Sequence, residues 1–313
     1  MADTTVRGLT RLARHYRVTR GHGFALDHFD PDDTRGLQLK DKADALLAQS
    51  VEVMADLQER LYAQDRWSVL LIFQALDAAG KDGTIKHVMS GLNPQGCEVR
   101  SFKAPSSEEL DHDFLWRTST ALPRRGHIGI FNRSYYEEML VVRVHPEILA
   151  KQQLPLELVT PRIWTERFDD VVNYERYLSR QGVVIRKFFL HVSKDEQRRR
   201  FLDRLRHPEK NWKFSLGDVH EREHWDDYQA AYEDAIRHTA TTCAPWYVVP
   251  ADHKWFTRLV VAAAVIEAIA SVRPTFPTVE AAALRQMRVA QAALEDEGQG
   301  RRQPRRGAAK ARR

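Results

Sequence analysis

The spacing of hydrophobic and polar positions changes several times along the chain, and each change predicts an element. Residues 39–63 repeat apolar side chains at helical spacing, which predicts one long helix. The continuous apolar run at 68–73 then predicts a buried strand, followed by a loop at 74–80 and a helix that begins at Lys81. Strands that alternate with helices in this way indicate a parallel sheet covered on both faces.

The same alternation continues to residue 272. Further strands are predicted at 97–102, 127–132, 183–192 and 246–249. Further helices are predicted at 106–118, 160–180, 193–206, 215–239 and 254–272. Several of these helices begin at capping residues: Ser106, Thr160 before Pro161, and the capping box from Ser193 to Glu196. Residues 1–38 show little periodicity and are predicted to form an extended arm with short turns.

Length and composition fit one large folded domain. A chain of 313 residues with 43% hydrophobic residues can bury a sizeable core. We therefore expect an N-terminal arm at 1–38, a domain at 39–275, and a helix with a basic, disordered tail at 276–313. Apolar runs are too short to span a bilayer, the first residues lack a signal core, and two cysteines do not imply a disulfide framework. These features predict a cytoplasmic protein without a membrane partner.

The net charge of +5 is concentrated at the C-terminus. Residues 301–313 hold seven Lys and Arg residues and no acid, so the rest of the chain is nearly neutral. The simplest interpretation is a solvated end of the chain. The alternative is an arm that attracts a polyanion such as nucleic acid or polyphosphate.

A candidate phosphate-binding loop follows the first predicted strand. Gly80 and Lys81 stand between a strand and a helix, where backbone N–H groups, the helix N-terminus and the lysine charge can hold phosphate oxygens. Ala75 replaces the first glycine of G-x-x-x-x-G-K-[ST], and Asp82 replaces its hydroxyl residue. Asp77 would repel phosphate unless a cation lay between them, which predicts bridging Mg²⁺. The alternative is that Asp77 only caps the loop.

A second polar cluster, FNRSYYEE, occupies 131–138 at the end of an apolar strand. Ligands of open α/β sheets bind at the carboxyl ends of the strands, so Arg133 and Glu137 are expected to face the phosphate loop. An arginine suits a phosphoryl group, and a glutamate suits a metal ion or its waters. The alternative is an Arg–Glu surface pair that opens a helix.

A third, basic segment covers 197–215, where only Asp203 and Glu209 oppose the positive charges. This imbalance suits a lid that closes over a polyanion, although a solvated helix face is the common alternative. The seven bases are Arg198, Arg199, Arg200, Arg204, Arg206, Lys210 and Lys213. Several other residues are predicted to serve as packing, core or interface residues: His127, His145, His191, His224, Trp225 and Tyr228.

Three segments together resemble the second family of polyphosphate kinases over about residues 40–270. They are ALDAAGKDGTIKHVMSGLNPQG, GIFNRSYYEEMLVVRVHPE and HVSKDEQRRRFLDRLRHPEKNWKFSLGD, which resemble its phosphate loop, second acidic motif and lid. The second segment is similar to the subgroup that phosphorylates both nucleoside mono- and diphosphates. Other subgroups carry an aspartate where this chain has Asn132. Ala75 departs from the glycine of many members.

The resemblance implies a fold and a reaction. The fold would be an α/β, three-layer P-loop kinase fold of the thymidylate-kinase type, with a parallel central sheet and a helical lid at about 197–220. The reaction would move the terminal phosphoryl group of inorganic polyphosphate to AMP or ADP, reversibly, with Mg²⁺ and by direct in-line transfer. Guanine nucleotides remain open as acceptors, and a dimer or tetramer is expected.

The resemblance also implies roles for individual residues. Asp77, Lys81, Arg133 and Glu137 would be catalytic, with Asp77 and Glu137 as the metal ligands. The residues that would bind phosphate or polyphosphate are Ala79, Gly80, Asp82, Gly83, Thr84, Lys103, Arg200, Arg204, Lys210 and Lys213.

Two other functions remain open on the residues alone. One is an ATP-dependent nucleoside monophosphate kinase on the same scaffold. The other is a polyanion- or RNA-binding protein that uses the lid and tail as a basic surface, although the chain offers no base-reading motif for specific nucleic acid recognition.

Overall fold

The structure, a computed structural model, describes the backbone of residues 2–300, and the predicted basic tail at 301–313 lies outside them. Six strands form one sheet in the described part: β1 (Arg17–Val18), β2 (Ser68–Ala75), β3 (Cys97–Ser101), β4 (Ile128–Asn132), β5 (Val183–His191) and β6 (Trp246–Pro250). The helices are α1 (Ala2–Ala13), α2 (Ala43–Gln64), α3 (Lys81–Val88), α4 (Ser107–Leu110), α5 (Trp116–Ser119), α6 (Val141–Val144), α7 (Ile163–Arg180), α8 (Lys194–Arg206), α9 (Leu216–His220), α10 (Trp225–Thr239), α11 (Lys254–Ala270) and α12 (Ala281–Gly300).

The sheet has the strand order β1-β6-β5-β2-β4-β3, and its strands are parallel except for β1, which pairs antiparallel with β6. The central strand β2 is flanked by β5 on one side and β4 on the other, and both come later in the chain. The chain therefore changes direction across the sheet at β2, and such a switch point creates a crevice at the carboxyl ends of the strands. This confirms the predicted α/β fold with a mostly parallel central sheet.

The alternation of side chains in β2 divides the core into two layers. Val69, Leu71 and Phe73 belong to the layer that contains the buried residues of α2 and α11. Leu70 and Ile72 belong to the opposite layer, with buried residues of α7 and α10. A strand buried on both faces explains why the sequence of β2 is a continuous apolar run.

The N-terminal segment is more structured than its sequence suggested. The prediction of an extended arm at 1–38 was wrong for its first half, because α1 and β1 lie there. Leu9, Ala13 and Tyr16 are buried against the core that contains α11. Their spacing of four and three residues is a helical stripe, but it is too short to stand out in the sequence.

Two predicted helices are interrupted. The segment at 106–118 forms α4 and α5 because the Asp113 carboxylate accepts the N–H of Leu115 at 2.9 Å and favours a turn. The segment at 215–239 forms α9, a 3₁₀ turn at Glu221–His224, and α10. Ser106 caps α4 as predicted, and it forms a complete capping box with Glu109 that was not predicted from the sequence.

The capping box predicted at the start of α8 is only half formed. Ser193 caps α8 by accepting the N–H of Glu196 at 3.1 Å. Its own N–H bonds to Asp252 at 2.8 Å, and the Glu196 carboxylate pairs with arginines of α8 instead.

The chain separates into a compact unit at 1–275 and a second unit that begins at Phe276 and contains α12. Within the described residues, every helix is too short or too polar to cross a bilayer.

Candidate active site

The loop between β2 and α3 is shaped for an anion. Ala75 is the last strand residue and pairs with Leu190, so its extended backbone needs no glycine at that position. Further along, Ala78 (φ 61°) and Gly80 (φ 101°) adopt left-handed backbone conformations. Left-handed residues within such a loop turn successive N–H groups toward one concave side, which is an anion-binding arrangement. Lys81 then begins α3 at the positive end of the helix.

The end of β4 delivers the second motif to the same place. Arg133 follows β4 in a left-handed conformation (φ 65°), and its N–H continues the ladder by donating to Phe73 at 3.0 Å. Its guanidinium lies 3.4 Å from the Asp77 carboxylate and 4.0 Å from that of Glu137. Ser134 caps the turn that carries Glu137 by accepting the N–H of Tyr136 at 3.1 Å.

Burial and neighbouring charges shift the pKa values of Lys81, Arg133 and Glu137. Burial lowers the pKa of Lys81 to about 8, with Arg133 acting in the same direction and the Glu137, Asp77 and Asp82 carboxylates opposing it. Burial raises the pKa of Glu137 despite the nearby Arg133 and Lys81. Burial alone would lower the pKa of Arg133, but Glu137 and Asp77 raise it. Phosphate bound here would therefore stabilise the charged form of Lys81.

Asp77, Arg133 and Glu137 line one pocket with residues that sequence reasoning had not assigned to the site. Those residues belong to α8, α9, the following 3₁₀ turn and α10: Gln197, Asp218, Glu221, Arg222, Trp225, Tyr228 and Tyr232. Positions 221, 225, 228 and 232 are spaced by three or four residues, so they share one face of the helical segment. This spacing was visible in the sequence, but the assignment of Trp225 and Tyr228 to core or interface alone overlooked the pocket.

The lid segment contributes acids to this pocket. Burial and the neighbouring Asp77 raise the pKa of Asp218, whose carboxylate lies 3.5 Å from the Arg204 guanidinium. Glu221 is close to His145 Nε2 at 2.9 Å and accepts from the Tyr228 hydroxyl at 2.7 Å. Burial alone would raise the pKa of Glu221, but these bonds hold it below its usual value.

The lid cations are more fully paired than expected. Lys210 contacts Asp203 at 2.8 Å, and Arg204 contacts Asp218, while Lys213 lies over the exposed Trp212 ring at 4.9 Å. The expectation that only Asp203 and Glu209 oppose these bases was wrong, because Asp195, Glu196 and Asp218 also pair with them.

Arg200 does not lie on an exposed lid surface. Its side chain is buried, and it donates to main-chain carbonyls of the phosphate loop. The structure therefore separates it from the other predicted lid bases.

The other residues predicted to bind phosphate each have different partners in the structure. Asp82 accepts from Asn132 Nδ2 at 2.8 Å, and Lys103 is exposed while its carbonyl accepts from Arg117. The Thr84 side chain is buried and donates to the Gly80 carbonyl at 3.0 Å, which ties down the first turn of α3. Ala79 and Gly83 can contact a phosphate only through their main chains. The Ala79 carbonyl accepts from Arg200, and the Gly83 carbonyl lies 2.7 Å from His87 Nδ1.

The acids of the site fit a magnesium ion that arrives with phosphate. Within the described residues, no group of three or more His, Cys, Asp or Glu side chains is arranged to hold a metal alone. Asp77 and Glu137 flank Arg133 at the mouth of the phosphate loop. Mg²⁺ is commonly held by one or two carboxylates together with substrate phosphates, so this pair is a suitable donor set.

Comparison with known proteins agrees with this geometry. Residues 38–277 match the family described as Polyphosphate kinase 2 (PPK2). The chain is 51% identical over 265 residues to the ADP-polyphosphate phosphotransferase of Rhodopseudomonas palustris, covering 84% of this chain and 92% of that protein. It is 45% identical over 273 residues to the AMP/ADP-polyphosphate phosphotransferase of Meiothermus ruber, covering 86% and 97%.

A solved structure shares the fold. The crystal structure of polyphosphate kinase 2 from Arthrobacter aurescens TC1 matches with a TM-score of 0.81 at 39% identity, covering 89% of this chain and 96% of that one. A match over most of the chain, together with a phosphate loop that faces Arg133 and Glu137, leads to one conclusion: this chain belongs to the polyphosphate kinase 2 family.

Proposed function

We propose that this protein transfers the terminal phosphoryl group of inorganic polyphosphate to nucleoside mono- and diphosphates, with AMP and ADP as acceptors, and that the reaction is reversible. The proposal depends on the meeting of Asp77, Arg133 and Glu137 beside the phosphate loop of a polyphosphate kinase 2 chain. The names of the two relatives, which refer to ADP and AMP/ADP, support these acceptors.

The chain's own residues supply positioning and charge. The loop N–H groups and Lys81 hold the oxygens of the transferring phosphoryl group from one side, and the Arg133 fork holds them from another. Arg204, Lys210 and Lys213 neutralise the rest of the polyphosphate chain. Transfer is direct and in line, because phosphoryl transfer requires mainly positioning and charge stabilisation from a protein.

Asp77 and Glu137 are the residues that would hold Mg²⁺. An ion held there would supply Lewis-acid neutralisation of the negative charge on the phosphate oxygens. The raised pKa of Glu137 fits this role, because a buried carboxylate between bases gains from a nearby cation.

Product analysis tests the proposal. Purified protein is mixed with Mg²⁺, polyphosphate and one acceptor at a time, AMP, ADP, GMP or GDP, without any ATP, and the nucleotides are separated by ion-exchange chromatography. We expect ADP and ATP from AMP, and ATP from ADP; the guanine arms define the acceptor range. Product that forms only when ATP is supplied would identify an ATP-dependent nucleoside monophosphate kinase instead.

A matched control separates catalysis from simple binding. The Lys81→Met variant keeps the length of the side chain but removes its charge, so we expect its turnover to fall by roughly 100-fold or more. Polyphosphate binding without product, lost when residues 301–313 are deleted, would support a polyanion-binding protein. A homo-oligomer stays a prediction, which light scattering coupled to size exclusion tests directly.

A further inference from the structure

Two side chains of α8 donate hydrogen bonds to three consecutive main-chain carbonyl groups of the phosphate loop. Gln197 Nε2 donates to the Asp77 carbonyl at 2.8 Å. Arg200 Nη1 donates to the carbonyls of Ala78 and Ala79 at 3.1 and 2.6 Å. Both side chains are buried, with 3% and 7% of their residue surface exposed.

The remaining donors of Arg200 are also engaged. Nη2 donates to the carbonyls of Ala251 and Asp252 at 2.5 and 3.2 Å, and Nε donates to the Glu196 carboxylate at 2.6 Å. A guanidinium has five N–H groups, and these contacts supply an acceptor for each of them. Arg200 therefore has no free donor for a phosphate, and it joins the phosphate loop to the segment that follows β6.

The direction of these bonds matters for the loop. In a trans peptide the N–H points away from the carbonyl, so the carbonyls of Asp77 and Ala79 that face α8 leave the N–H groups of Ala78 and Gly80 on the opposite, concave side. The Ala79 N–H instead donates to the Leu76 carbonyl at 3.2 Å and closes a turn within the loop. Ala78 adopts a left-handed conformation that is unfavourable for a residue with a side chain. Such a conformation persists when its surroundings fix it, and the peptide groups on either side of Ala78 are held by Gln197 at the Asp77 carbonyl and by Arg200 at the Ala78 carbonyl.

Gln197 also links the phosphate loop to the 3₁₀ turn at Glu221–His224. Its Oε1 accepts from the Arg222 guanidinium, which in turn donates to the Lys194 carbonyl at 3.1 Å. Both Gln197 and Arg222 line the pocket that contains Asp77. One amide side chain therefore contacts the phosphate loop through its nitrogen and the 3₁₀ turn that carries Arg222 through its oxygen.

We propose that Gln197 and Arg200 are positioning residues: they fix the carbonyls of the phosphate loop so that its N–H groups face the substrate phosphates, and Arg200 itself binds no phosphate. This differs from the polyphosphate-binding role that the family resemblance suggests for Arg200. The inference rests on the proposed function for the identity of the substrate, but the shape of the loop is independent of it.

The first test compares two buried glutamines. Gln58 holds the main chain of Asn93 through both of its amide atoms, at 2.9 and 2.8 Å, and its other hydrogen bond goes to Cys97, so these bonds do not involve the phosphate loop. Gln197→Met and Gln58→Met should lower the melting temperature by similar amounts. Only Gln197→Met should lower kcat, by about 100-fold, the loss that a misplacement of roughly 1 Å can cause. Equal kcat in the two variants would overturn the proposal.

The second test separates positioning from phosphate binding. Arg200→Lys keeps the charge but cannot reach carbonyls on two loops, so kcat should fall, whereas Arg176→Lys, at an exposed arginine of α7 outside the site, should behave as wild type. The dependence of log KM for polyphosphate on log salt should keep its slope in Arg200→Lys and in Arg200→Met. A slope smaller by about one in Arg200→Met, the signature of a lost phosphate contact, would refute the proposal.

A third measurement keeps this inference distinct from the proposed function. Calorimetry with inorganic triphosphate and Mg²⁺ measures anion binding by the loop without any transfer. Weaker binding by Gln197→Met than by Gln58→Met supports the positioning role even if the wild type makes no nucleotide. Equal binding contradicts it even if the wild type is an active kinase.

Discussion

The lowered pKa of Lys81 predicts an alkaline limit to activity. Burial among the site residues moves this pKa from 10.5 to about 8, so the free protein loses the Lys81 charge within an accessible pH range. The uncharged amine attracts phosphate oxygens far less strongly than the ammonium does. We therefore expect kcat/KM for polyphosphate to decline as the pH rises through about 8, because this ratio reports groups of the free enzyme.

The size of the decline follows from the titration. With a pKa of about 8, Lys81 is roughly nine-tenths protonated at pH 7 and roughly one-tenth protonated at pH 9. If only the charged form is productive, kcat/KM falls about tenfold for each pH unit above 8. The nearby Tyr228 and Tyr232 have raised pKa values caused first by burial, so their hydroxyls remain neutral over this range.

Deprotonation of Lys81 does not destabilise the folded protein, so unfolding caused by this residue would not explain the alkaline decline in activity. Between pH 8 and 10.5 the unfolded chain binds more protons at Lys81 than the folded protein does. Stability therefore rises with pH where this residue titrates, so its contribution to the melting temperature is opposite in sign to the loss of activity.

The assay is initial-rate kinetics from pH 6.5 to 9.5 with polyphosphate and ADP, at constant ionic strength and free Mg²⁺. The control is Lys81→Arg, whose guanidinium stays charged over the whole range. This variant should be slower than wild type at pH 7 but should lack the limb near pH 8. A wild type that is flat to pH 9.5, or a limb that persists in Lys81→Arg, would refute the reasoning.

Further substitutions test other parts of the structure. Asp77→Asn should lower kcat by about 100- to 1000-fold at saturating substrate and Mg²⁺, since single electrostatic contacts of this kind contribute roughly 3 kcal/mol; near-wild-type turnover would contradict the metal role. Lys187→Met leaves Glu175, its fully buried partner at 2.6 Å, without a counter-charge, and should lower the free energy of unfolding in urea by about 3–5 kcal/mol. Gly21→Ala would place a Cβ 1.5 Å from a carbonyl oxygen of α10 and should lower the melting temperature strongly, whereas Gly8→Ala, with open space around it, should not.

The sequence predicts the central sheet well because its strands carry local signals. The run from Ser68 is apolar without interruption, since β2 is buried on both faces. Sequence-based prediction fails for elements whose formation depends on tertiary contacts. The β1 strand has only two residues and exists because β6 offers its edge, and α1 is fixed by packing against α11.

The site divides in the same way. The phosphate loop and the Arg133–Glu137 turn are recognisable because each lies within a short segment that follows a strand. The wall formed by Glu221, Trp225 and Tyr228 comes from residues about 150 positions after Asp77. Their helical spacing is visible in the sequence, but which neighbour they face depends on the path of the chain. Arg200 differs in the opposite way. The basic residues around it in the sequence suggested an exposed cation, but in the structure it is buried and donates to the main chains of two loops.

The charges around the pocket explain why acids belong in a phosphate site. Among the residues that line it, the carboxylates of Asp77, Glu137, Asp218 and Glu221 outnumber the guanidinium groups of Arg133 and Arg222. Burial already raises the pKa of Glu137 and of Asp218, which means that the folded protein holds these negative charges at a cost. A bare polyphosphate would increase that cost, because it adds negative charge to an acidic pocket. Cations that accompany the phosphates would turn this electrostatic repulsion into attraction, because each cation is attracted both by the phosphates and by the carboxylates. If the pocket binds the substrate as we propose, the same acids that repel a free polyanion would therefore favour one that arrives with its metal.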